Sequence, residues 1–573
     1  MLDKERQLVI YYINMKRYFK LLVLGIGLMG MFSCGGKDEP IVDSGNNPDE
    51  NPVEPPGGFT PDQTYEEDRK LLNLVQKESF SYMWDYGHPV SGLAYERYPG
   101  EGVVTIGGSG FGIASIVVAC ERGWITRQEA VARMLKITDF LKNKSERTKL
   151  HGAFPHWMNG ETGKTVQFSE GDDGADIVET AFLFEGLLIA RQYFAGTGDE
   201  EIIRNNITTM WEEMEWDWFT QGQNVLYWHW SPNTGFNKNM QITGFNECMM
   251  TYILAVSSPT HPVSRAVYDA WTSTSGYMQR VHNGYTIEAA VDYCGPLFFT
   301  HYSFIGLDPR KIADEFVTKG YFIRNTTHTL INRAYCLETA PKTNKYSEKS
   351  WGLTASYATD GYTASSPKND VGTIAPTAAL SSMPYTPHYS MQVLWNLYSN
   401  KDKYWGKYGP FDAYCDSRNW VSTDKYLAID QLPIVCMIEN YRSGLLWNLF
   451  MKDADLKNGL SVAGLHYPEY KTGFPLMMTT KEYVNGTYKA IAHDLRRHPD
   501  TGLYTVPFYC QSAGEVTFKV TDSGNRLIKE IQVSATQGEN TLAFEQFVST
   551  TEEVYTLTMV YSGGEAKLKI RMN

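Results

Sequence analysis

The sequence is poor in basic residues, and no apolar run in it is long enough to cross a membrane. Its 573 residues include 52 Lys and Arg against 65 Asp and Glu, a formal net charge of −13. An acidic surface repels phosphate backbones, and no stripe of Lys and Arg offsets the repulsion, so nucleic acid is excluded as a partner. The apolar run at residues 21–32 is too short to span a bilayer as a helix.

Common metal and nucleotide motifs are also missing. The chain has no H-E-x-x-H, no Walker A sequence and no C-x-x-C pair. The seven cysteines after Cys34 lie mostly in apolar runs, which predicts buried thiols without a zinc site or a disulfide framework. The glycine-rich run Gly107–Gly112 lacks the Lys-Ser/Thr of a P-loop and predicts a tight turn into a closely packed helix. We therefore expect no metal and no cofactor.

The N-terminal segment has the order of features of a bacterial lipoprotein signal. Basic residues at 16–20 precede the apolar run, and the ending Met31–Cys34 resembles a lipobox. This order predicts a signal at residues 1–34 with a lipid on Cys34. We then expect an outer membrane lipoprotein, facing the periplasm or the cell surface, whose membrane contact is only this lipid. Residues 35–65, rich in Pro, Gly, Asn, Asp and Glu, predict a flexible linker.

In residues 66–465, apolar residues recur every three or four positions, a spacing that is typical of helices. Thr126 and Glu129 form a capping-box pattern. Long loops separate the helices. The sequence has no fixed repeat, which a solenoid would normally show. The pattern predicts a mostly α protein whose main domain is an (α/α)6 barrel (toroid). Expected helix starts lie near Glu66, Gly110, Thr126, Asp176, Glu200, Gly244, Val263, Gly295, Arg310, Pro387 and Leu427.

Residues 466–573 show a different pattern. Three segments, 515–520, 528–533 and 555–561, alternate apolar and polar residues with period two and are separated by Gly, Asn and Ser turns. Such alternation is typical of strands that are buried on one face. We expect a small C-terminal all-β sandwich that serves as an accessory domain.

Three of the expected helices begin with acidic residues and continue with a nearly all-apolar body. Asp176 and Glu179 share one face of the first, Glu247 precedes the second, and Asp430 lies in the first turn of the third. Such acids often only cap a helix and complement its dipole. If the helices line a barrel with parallel N-termini, however, the carboxylates meet across one groove, an arrangement that glycoside hydrolysis requires.

Six motifs occur in order along the chain: Phe154–Trp157, Asp176–Ala181, Gly244–Glu247, Gly295–Ser303, Asp370–Ala379 and Ile438–Trp447. Through them, residues 70–465 resemble the glycoamylase-like family and are similar to glycoside hydrolase family GH144, the bacterial β-1,2-glucanases. The resemblance implies an (α/α)6 barrel, no metal requirement and an inverting mechanism. It also implies cleavage of β-1,2-glucan to sophorose or short β-1,2-glucooligosaccharides.

Carried over residue by residue, the family's acidic candidates fall on Asp176, Glu179, Glu247 and Asp430. We expect Glu247 to be the general acid, held protonated by apolar neighbours and by other carboxylates. Asp430 is the first choice of base and Asp176 the second, whereas Glu179 positions Asp176 or a sugar hydroxyl. Leu432 stands where the family usually has Gly, which is a departure close to Asp430.

Aromatic residues are abundant, with 37 Tyr, 26 Phe and 14 Trp. For each candidate subsite residue, packing in the core is an equal alternative to binding. For Glu439 and Arg442, three apart on one helix, an intrahelical ion pair and a substrate contact are both open. The candidate substrate-binding residues are Phe154, His156, Trp157, Trp228, His229, Trp230, His301, Tyr302, Trp351, Tyr362, Gln431, Glu439 and Arg442.

Other classes of function remain open at this stage. A surface glycan-binding lipoprotein would use aromatic platforms without producing reducing ends, and a hydrolase of another β-glucan would share the same carboxylates. A polysaccharide lyase on a similar helical toroid needs an anionic substrate, which the net charge suits poorly. We expect a monomer with a β-glucan polysaccharide or oligosaccharide as its partner; the sequence leaves endo and exo action open.

Overall fold

Six inner elements form the wall of the barrel because their sequences are apolar on nearly every side. The helix Ile106–Glu121 buries fourteen of its sixteen residues, and all nine residues of Met249–Ser257 are buried. This computed structural model describes residues 65–100, 102–272, 278–546 and 554–573, so the predicted signal with Cys34 and the linker up to residue 64 lie outside the described part. In chain order the inner elements are Ile106–Glu121, Ile177–Tyr193, Met249–Ser257, the turns Leu297–Thr300 and Tyr302–Phe304, Pro376–Leu380 and Ala428–Arg442.

Outer helices alternate with the inner elements along the chain. Most of them bury one face and expose the other, as amphipathic surface helices do. Their alternation with the inner wall makes the (α/α)6 barrel that was predicted, and the fold class is confirmed. The capping box of Thr126 and Glu129 is present as well. The outer helices are Tyr65–Trp84, Arg127–Asn143, Asp199–Glu212, Arg265–Thr272, Tyr321–Ala334 and Pro387–Ser399, and the short helices Lys401–Tyr404, Leu445–Phe450 and Ala454–Val462 complete the set.

Two of the expected helices are wrong. The segment after Gly295 forms only the two short 3-10 turns, because its N–H groups donate to the carbonyl three residues earlier: His301 to Phe298 at 3.0 Å and Phe304 to His301 at 2.9 Å. Near Arg310 the chain makes a single turn, Pro309–Lys311, capped by the side chain of Asp308. The next helix begins at Tyr321.

Short strand pairs build the loops between helices. The strand Ala175–Asp176 pairs with His229–Trp230, and Arg97–Tyr98 pairs with Tyr426–Leu427, immediately before two inner helices. These pairs fix the chain at the N-terminal ends of those helices. The other strands of this part are Val103–Thr105, Trp157–Asn159, Thr165–Val166, Met278–His282, Tyr285–Ala290, Ala355–Ala358, Gly361–Ala364, Trp405–Gly406, Gly409–Pro410, Tyr414–Cys415 and Trp420–Val421.

The C-terminal region is a small separate β structure, as predicted. A five-stranded sheet packs against a two-stranded antiparallel pair, and the alternate apolar residues of both, among them Phe508, Phe518 and Leu557, form one core. In sheet order the five strands are His493–Leu495, Gly564–Met572, Val554–Tyr561, Gly514–Thr521 and Leu527–Ala535; the pair is Tyr504–Cys510 with Gly538–Phe544, and a hairpin, Lys481–Val484 with Thr487–Ala490, precedes them.

Buried ion pairs join the β region to the barrel. Asp68 on the first helix accepts two hydrogen bonds from Arg496, at 2.6 and 2.7 Å, and one from the indole of Trp395 at 2.7 Å. Arg442 binds Asp500 on the β side. The two parts are therefore held together by charged groups that are largely removed from water.

The cysteines are buried, as the sequence predicts, with one exception. All seven of those in the described residues are unpaired, and six are buried while Cys120 is partly exposed. Among the described residues, none of the helices combines the length and apolar character that crossing a membrane requires.

Candidate active site

Three of the predicted acids lie at the N-terminal ends of inner helices. Asp176 caps the helix Ile177–Tyr193, Asp430 lies in the first turn of Ala428–Arg442, and Glu247 precedes Met249–Ser257. Tyr302 connects the group: its hydroxyl donates to Asp430 Oδ1 at 3.3 Å, and its ring packs on Phe182 of the Asp176 helix, 5.6 Å between centroids. The helix starts therefore converge on one end of the barrel.

Both carboxylate oxygens of Asp176 already accept hydrogen bonds from within the protein. Its Oδ1 accepts from the N–H groups of Val178 and Glu179, both at 3.0 Å, and its Oδ2 accepts from His156 Nδ1 at 3.0 Å. The residue is fully buried. These contacts make Asp176 a helix cap and the partner of His156, and they argue against its use as the base.

Glu179 is held on the wall by a glycine of the adjacent helix. Its Oε2 accepts from Gly107 N–H at 2.8 Å, and a Cβ on Gly107 would lie 2.6 Å from the same oxygen. Burial raises the pKa of Glu179 to about 7 against the lowering effect of His156. The tight turn predicted for residues 107–112 is wrong, because this segment lies within the helix Ile106–Glu121, but the predicted close packing of the helix is confirmed, since a Cβ on Gly110 would lie 2.0 Å from Phe182 O.

Glu247 has the protonation behaviour expected of a general acid. Burial raises its pKa to about 7, the charges of Glu179 and Asp176 add to the rise, and a hydrogen bond from its own N–H opposes it. Ser303 Oγ donates to the Glu247 carbonyl at 2.5 Å and fixes the backbone there. The side chain is partly exposed, so a proton that it carries can reach a bound molecule.

Asp430 has a partner that sequence reasoning missed. Burial raises the pKa of Asp430 well above its ordinary value, and the carboxyl group of Asp412, hydrogen-bonded to it, adds to the rise. Asp412 lies in the loop between Gly409–Pro410 and Tyr414–Cys415, far from any helix start. Nothing in its local sequence distinguishes it, because only the folded loop brings it to Asp430.

One group of side chains could offer ligands to a cation. Atoms of His156, Asp172 and Asp176 all lie within 4.8 Å of one another. Burial alone would lower the pKa of His156, but the carboxyl groups of Glu179, Asp176 and Asp172 outweigh it and raise the pKa to about 10. A protonated imidazole repels a metal ion and donates to Asp176 instead. The donor set is therefore that of an ion-pair cluster.

Several of the predicted aromatic residues remain partly exposed on this side. Trp157, Trp228, Trp230 and Tyr362 have this character, and His156 is stacked on Phe168 with 3.9 Å between centroids. Ring faces of this kind can pack against sugar rings. Phe168 was missed because a single Phe in a polar loop has no sequence signal that separates it from core residues.

Other predicted subsite residues are part of the core. Phe154 and Trp351 are fully buried, and His229 is 3% exposed. His301 Nε2 lies 2.9 Å from Ser382 Oγ, and burial lowers its pKa to about 3. Packing in the core, the alternative left open for each of them, explains Phe154, Trp351 and His301. His229 is buried beside the carboxylates instead, with its Nδ1 3.5 Å from Asp172 Oδ1 and 3.8 Å from Asp176 Oδ2.

Gln431, Glu439 and Arg442 also point away from the acids. The Gln431 amide donates to Ser79 Oγ at 2.9 Å and to the Tyr408 carbonyl. Glu439 binds Arg122 at 2.8 and 2.9 Å, and Arg442 binds Asp500, so neither the intrahelical pair nor the substrate contact is present. The last turn of their helix lies at the opposite end from Asp430. There Arg442 joins the barrel to the β region through its ion pair with Asp500.

Comparisons with known proteins agree with the fold and the motifs. A family model described as "Putative glucoamylase" matches residues 239–454. An exo β-1,2-glucooligosaccharide sophorohydrolase (non-reducing end) of Parabacteroides distasonis is 44% identical over 420 residues, 69% of this chain. The match spans 57% of the length of that relative.

Two solved structures align over nearly their whole length. A glucoamylase-like protein of Bacteroides uniformis is 50% identical with a TM-score of 0.68, covering 70% of this chain and 99% of that one. An endo-β-1,2-glucanase of Chitinophaga pinensis, solved with sophorotriose and glucose, is 46% identical with a TM-score of 0.67, covering 70% and 98%. With this identity and coverage, the chain belongs to the glycoamylase-like family.

Proposed function

We propose that the chain is a glycoside hydrolase that cleaves β-1,2-glucan to sophorose or short β-1,2-glucooligosaccharides with inversion. The observation that carries the proposal is the placement of two carboxyl groups with raised pKa values, Glu247 and Asp430, at the N-terminal ends of two inner helices. Relatives of known activity at 44% and 46% identity act on the same linkage. No sequence feature or contact of the described residues favours starch over this substrate.

Glu247 supplies the proton for the leaving sugar. At a pH below about 7 it is largely protonated, because burial and the nearby carboxyl groups disfavour its charge. As the glycosidic bond breaks, the bridging oxygen takes this proton and leaves as a hydroxyl. General acid catalysis of this type typically contributes a factor of roughly 10²–10⁴.

Asp430 is the base on the other side of the groove. It begins a different inner helix from Glu247, which leaves room for a water between the two, as inversion requires. Its proton acceptor is Oδ1, oriented by the Tyr302 hydroxyl. The water's proton reaches this oxygen directly or through a hydroxyl of the bent β-1,2-glucan chain.

Product analysis tests the proposal. The purified protein is incubated with linear β-1,2-glucan, and its early products are separated by chromatography, with β-1,3-glucan and β-1,4-glucan as controls. We expect sophorose or a ladder of short β-1,2-linked products, and the early pattern also separates exo from endo action. A protein that binds the glucan but releases no reducing ends would be the non-catalytic glycan-binding lipoprotein. Activity only on β-1,3-glucan or β-1,4-glucan would show that the substrate is another β-glucan.

We also propose that the protein is a monomeric outer membrane lipoprotein. The support is the order of basic residues, apolar run and Ser33-Cys34 in the sequence. In this arrangement the lipid on Cys34 is the contact with the membrane, and residues 35–65 act as a tether for the barrel.

A further inference from the structure

Two buried aspartates face each other beside Tyr302, and each has a carboxyl oxygen that no other described group hydrogen-bonds. Asp412 and Asp430 are 3% and 2% exposed, and their carboxyl groups are hydrogen-bonded to each other. Asp412 Oδ2 accepts from Tyr357 N–H at 2.7 Å and Asp430 Oδ1 from Tyr302 at 3.3 Å. The other two oxygens, Asp412 Oδ1 and Asp430 Oδ2, receive no N–H or O–H from any other described group.

Two buried carboxyl groups in contact cannot both be ionised, because like charges in a low dielectric repel strongly. One proton between the two unpartnered oxygens removes the repulsion and satisfies both atoms. The alternative of two charges would leave two buried oxygens without any donor, which is costly. The geometry therefore requires that the pair hold at least one proton, and above about pH 7, the pKa of Asp412, one proton is shared by the two groups.

We propose that Asp412 is a positioning residue that shares a proton with Asp430 and takes up the charge change when Asp430 acts as the base. This role rests on the proposed function. The short bond from Tyr357 N–H favours the negative charge on Asp412, so the shared proton rests on Asp430 Oδ2 in the free protein.

The proton transfers balance in one cycle. The attacking water bonds to the anomeric carbon and gives its proton to Asp430 Oδ1, while the Oδ2 proton of Asp430 passes to Asp412 Oδ1. The electron pair of the breaking glycosidic bond leaves with the bridging oxygen, which takes the proton of Glu247. Both aspartates are then neutral and Glu247 is ionised, and one proton returns from the pair to Glu247 through solvent.

The surroundings of the pair support this division of roles. Burial raises the pKa of Asp412 to about 7, near the value at which a base is most effective. The charge of Glu96 disfavours ionisation of both aspartates, and Glu96 is itself paired with Arg97. The hydroxyl of Tyr302 faces Asp430, and Lys425 lies over the ring of Tyr357, with Nζ 5.4 Å from the centroid.

The first experiment measures the shared proton without using activity. Unfolding of the wild type and of the double variant Asp412→Asn/Asp430→Asn is followed between pH 7 and pH 9 in the whole protein. Below about pH 7 Asp412 takes up a proton of its own, so the interval in which the pair holds one proton begins there. Asparagine at position 412 keeps an acceptor for Tyr357 N–H, and asparagine at position 430 keeps one for the Tyr302 hydroxyl. If the folded wild type holds one shared proton that the unfolded chain releases, its unfolding constant rises relative to that of the variant by about tenfold per pH unit. A constant ratio would overturn the proposal.

The second experiment measures the role in catalysis by the pH dependence of kcat and KM on a β-1,2-glucooligosaccharide. We expect Asp412→Asn to lower kcat at least tenfold with KM nearly unchanged and to move the acid limb of the profile by one pH unit or more, and Asp412→Glu to restore part of the activity. An unchanged kcat, or a fall at every pH without movement of the limb, would assign Asp412 a structural role and overturn the proposal.

A matched control separates these effects from the loss of any buried aspartate. Asp314 accepts from the N–H groups of Phe316 and Val317 and from the Tyr321 hydroxyl, at 2.9, 2.7 and 2.6 Å, so Asp314→Asn is expected to leave the acid limb in place. If the wild type fails to cleave the glucan, the proposed function is wrong, and the unfolding comparison still decides whether the proton is shared.

Discussion

Replacing Glu247 by Gln tests the assignment of the general acid. Glutamine has the same shape and leaves the Ser303 contact with the backbone carbonyl intact, but it cannot give up a proton. We expect kcat to fall at least about a hundredfold, which corresponds to about 2.7 kcal/mol of transition-state stabilisation. The loss of wild-type activity as the pH rises through about 7 should become smaller in the residual activity of the variant, because the general acid that titrates there is gone.

The same substitution should stabilise the fold at neutral pH. The pKa of Glu247 is about 7 in the folded chain and about 4.3 in the unfolded one, so the unfolded state loses this proton first as the pH rises. The contribution of Glu247 to stability is complete below about pH 4.3 and declines up to about pH 7, by at most about 1.4 kcal/mol per pH unit. Relative to the wild type, Glu247→Gln should therefore gain stability across this interval, as measured by denaturant unfolding at several pH values.

Glu185→Gln is the matched control. Burial raises the pKa of Glu185 well above its ordinary value and so favours its neutral form, and its Oε1 accepts from Gly306 N–H, a bond that glutamine can keep. We expect this variant to keep nearly all activity. Near-normal activity of Glu247→Gln with unchanged melting would refute the reasoning and leave Glu247 as a residue that only starts a helix.

Four further outcomes are expected. NMR of fresh product should show the α-anomer first; an initial β-anomer would require a covalent intermediate and contradict inversion. Gly107→Ala should lower kcat/KM at least tenfold, since a Cβ 2.6 Å from Glu179 Oε2 forces that carboxyl group to move; unchanged kinetics would show that its placement is unimportant. Arg442→Met should lower the free energy of unfolding by about 2 kcal/mol in denaturant titrations while KM stays within about twofold, because the bond to Asp500 is structural; a large rise in KM would restore a substrate contact. Cys34→Ala should move the protein from the membrane to the soluble fraction, and a firmly bound variant would exclude the lipid anchor.

Local patterns were sufficient to predict the acids at helix starts. Asp176, Glu247 and Asp430 each precede or open an apolar helix, and a helix of this composition has to be buried. Once several such helices form a barrel wall, their first turns face the same end. The period-two alternation after residue 466 was equally informative about the β region, because it reflects one buried face of a sheet.

The same patterns could not separate binding from packing. Trp157 and His301 both lie in family motifs and Trp351 lies outside them, yet the fold buries His301 and Trp351 and leaves Trp157 partly exposed. Burial depends on which other segments cover a side chain, and that is set by contacts between residues far apart in sequence. For the same reason Glu439 and Arg442 pair with Arg122 and Asp500, each more than fifty positions away, instead of with each other.

By itself, the sequence determined the (α/α)6 barrel, the β region and the acids that open the inner helices, because these follow from periodicity and motifs within short segments. Only the tertiary structure decided which of those acids can act. It occupied both oxygens of Asp176 with hydrogen bonds, kept Glu247 protonated through burial near Glu179, and brought Asp412 from a loop to Asp430. Protonation states depend on distance and dielectric in three dimensions, and the order of residues along the chain contains neither.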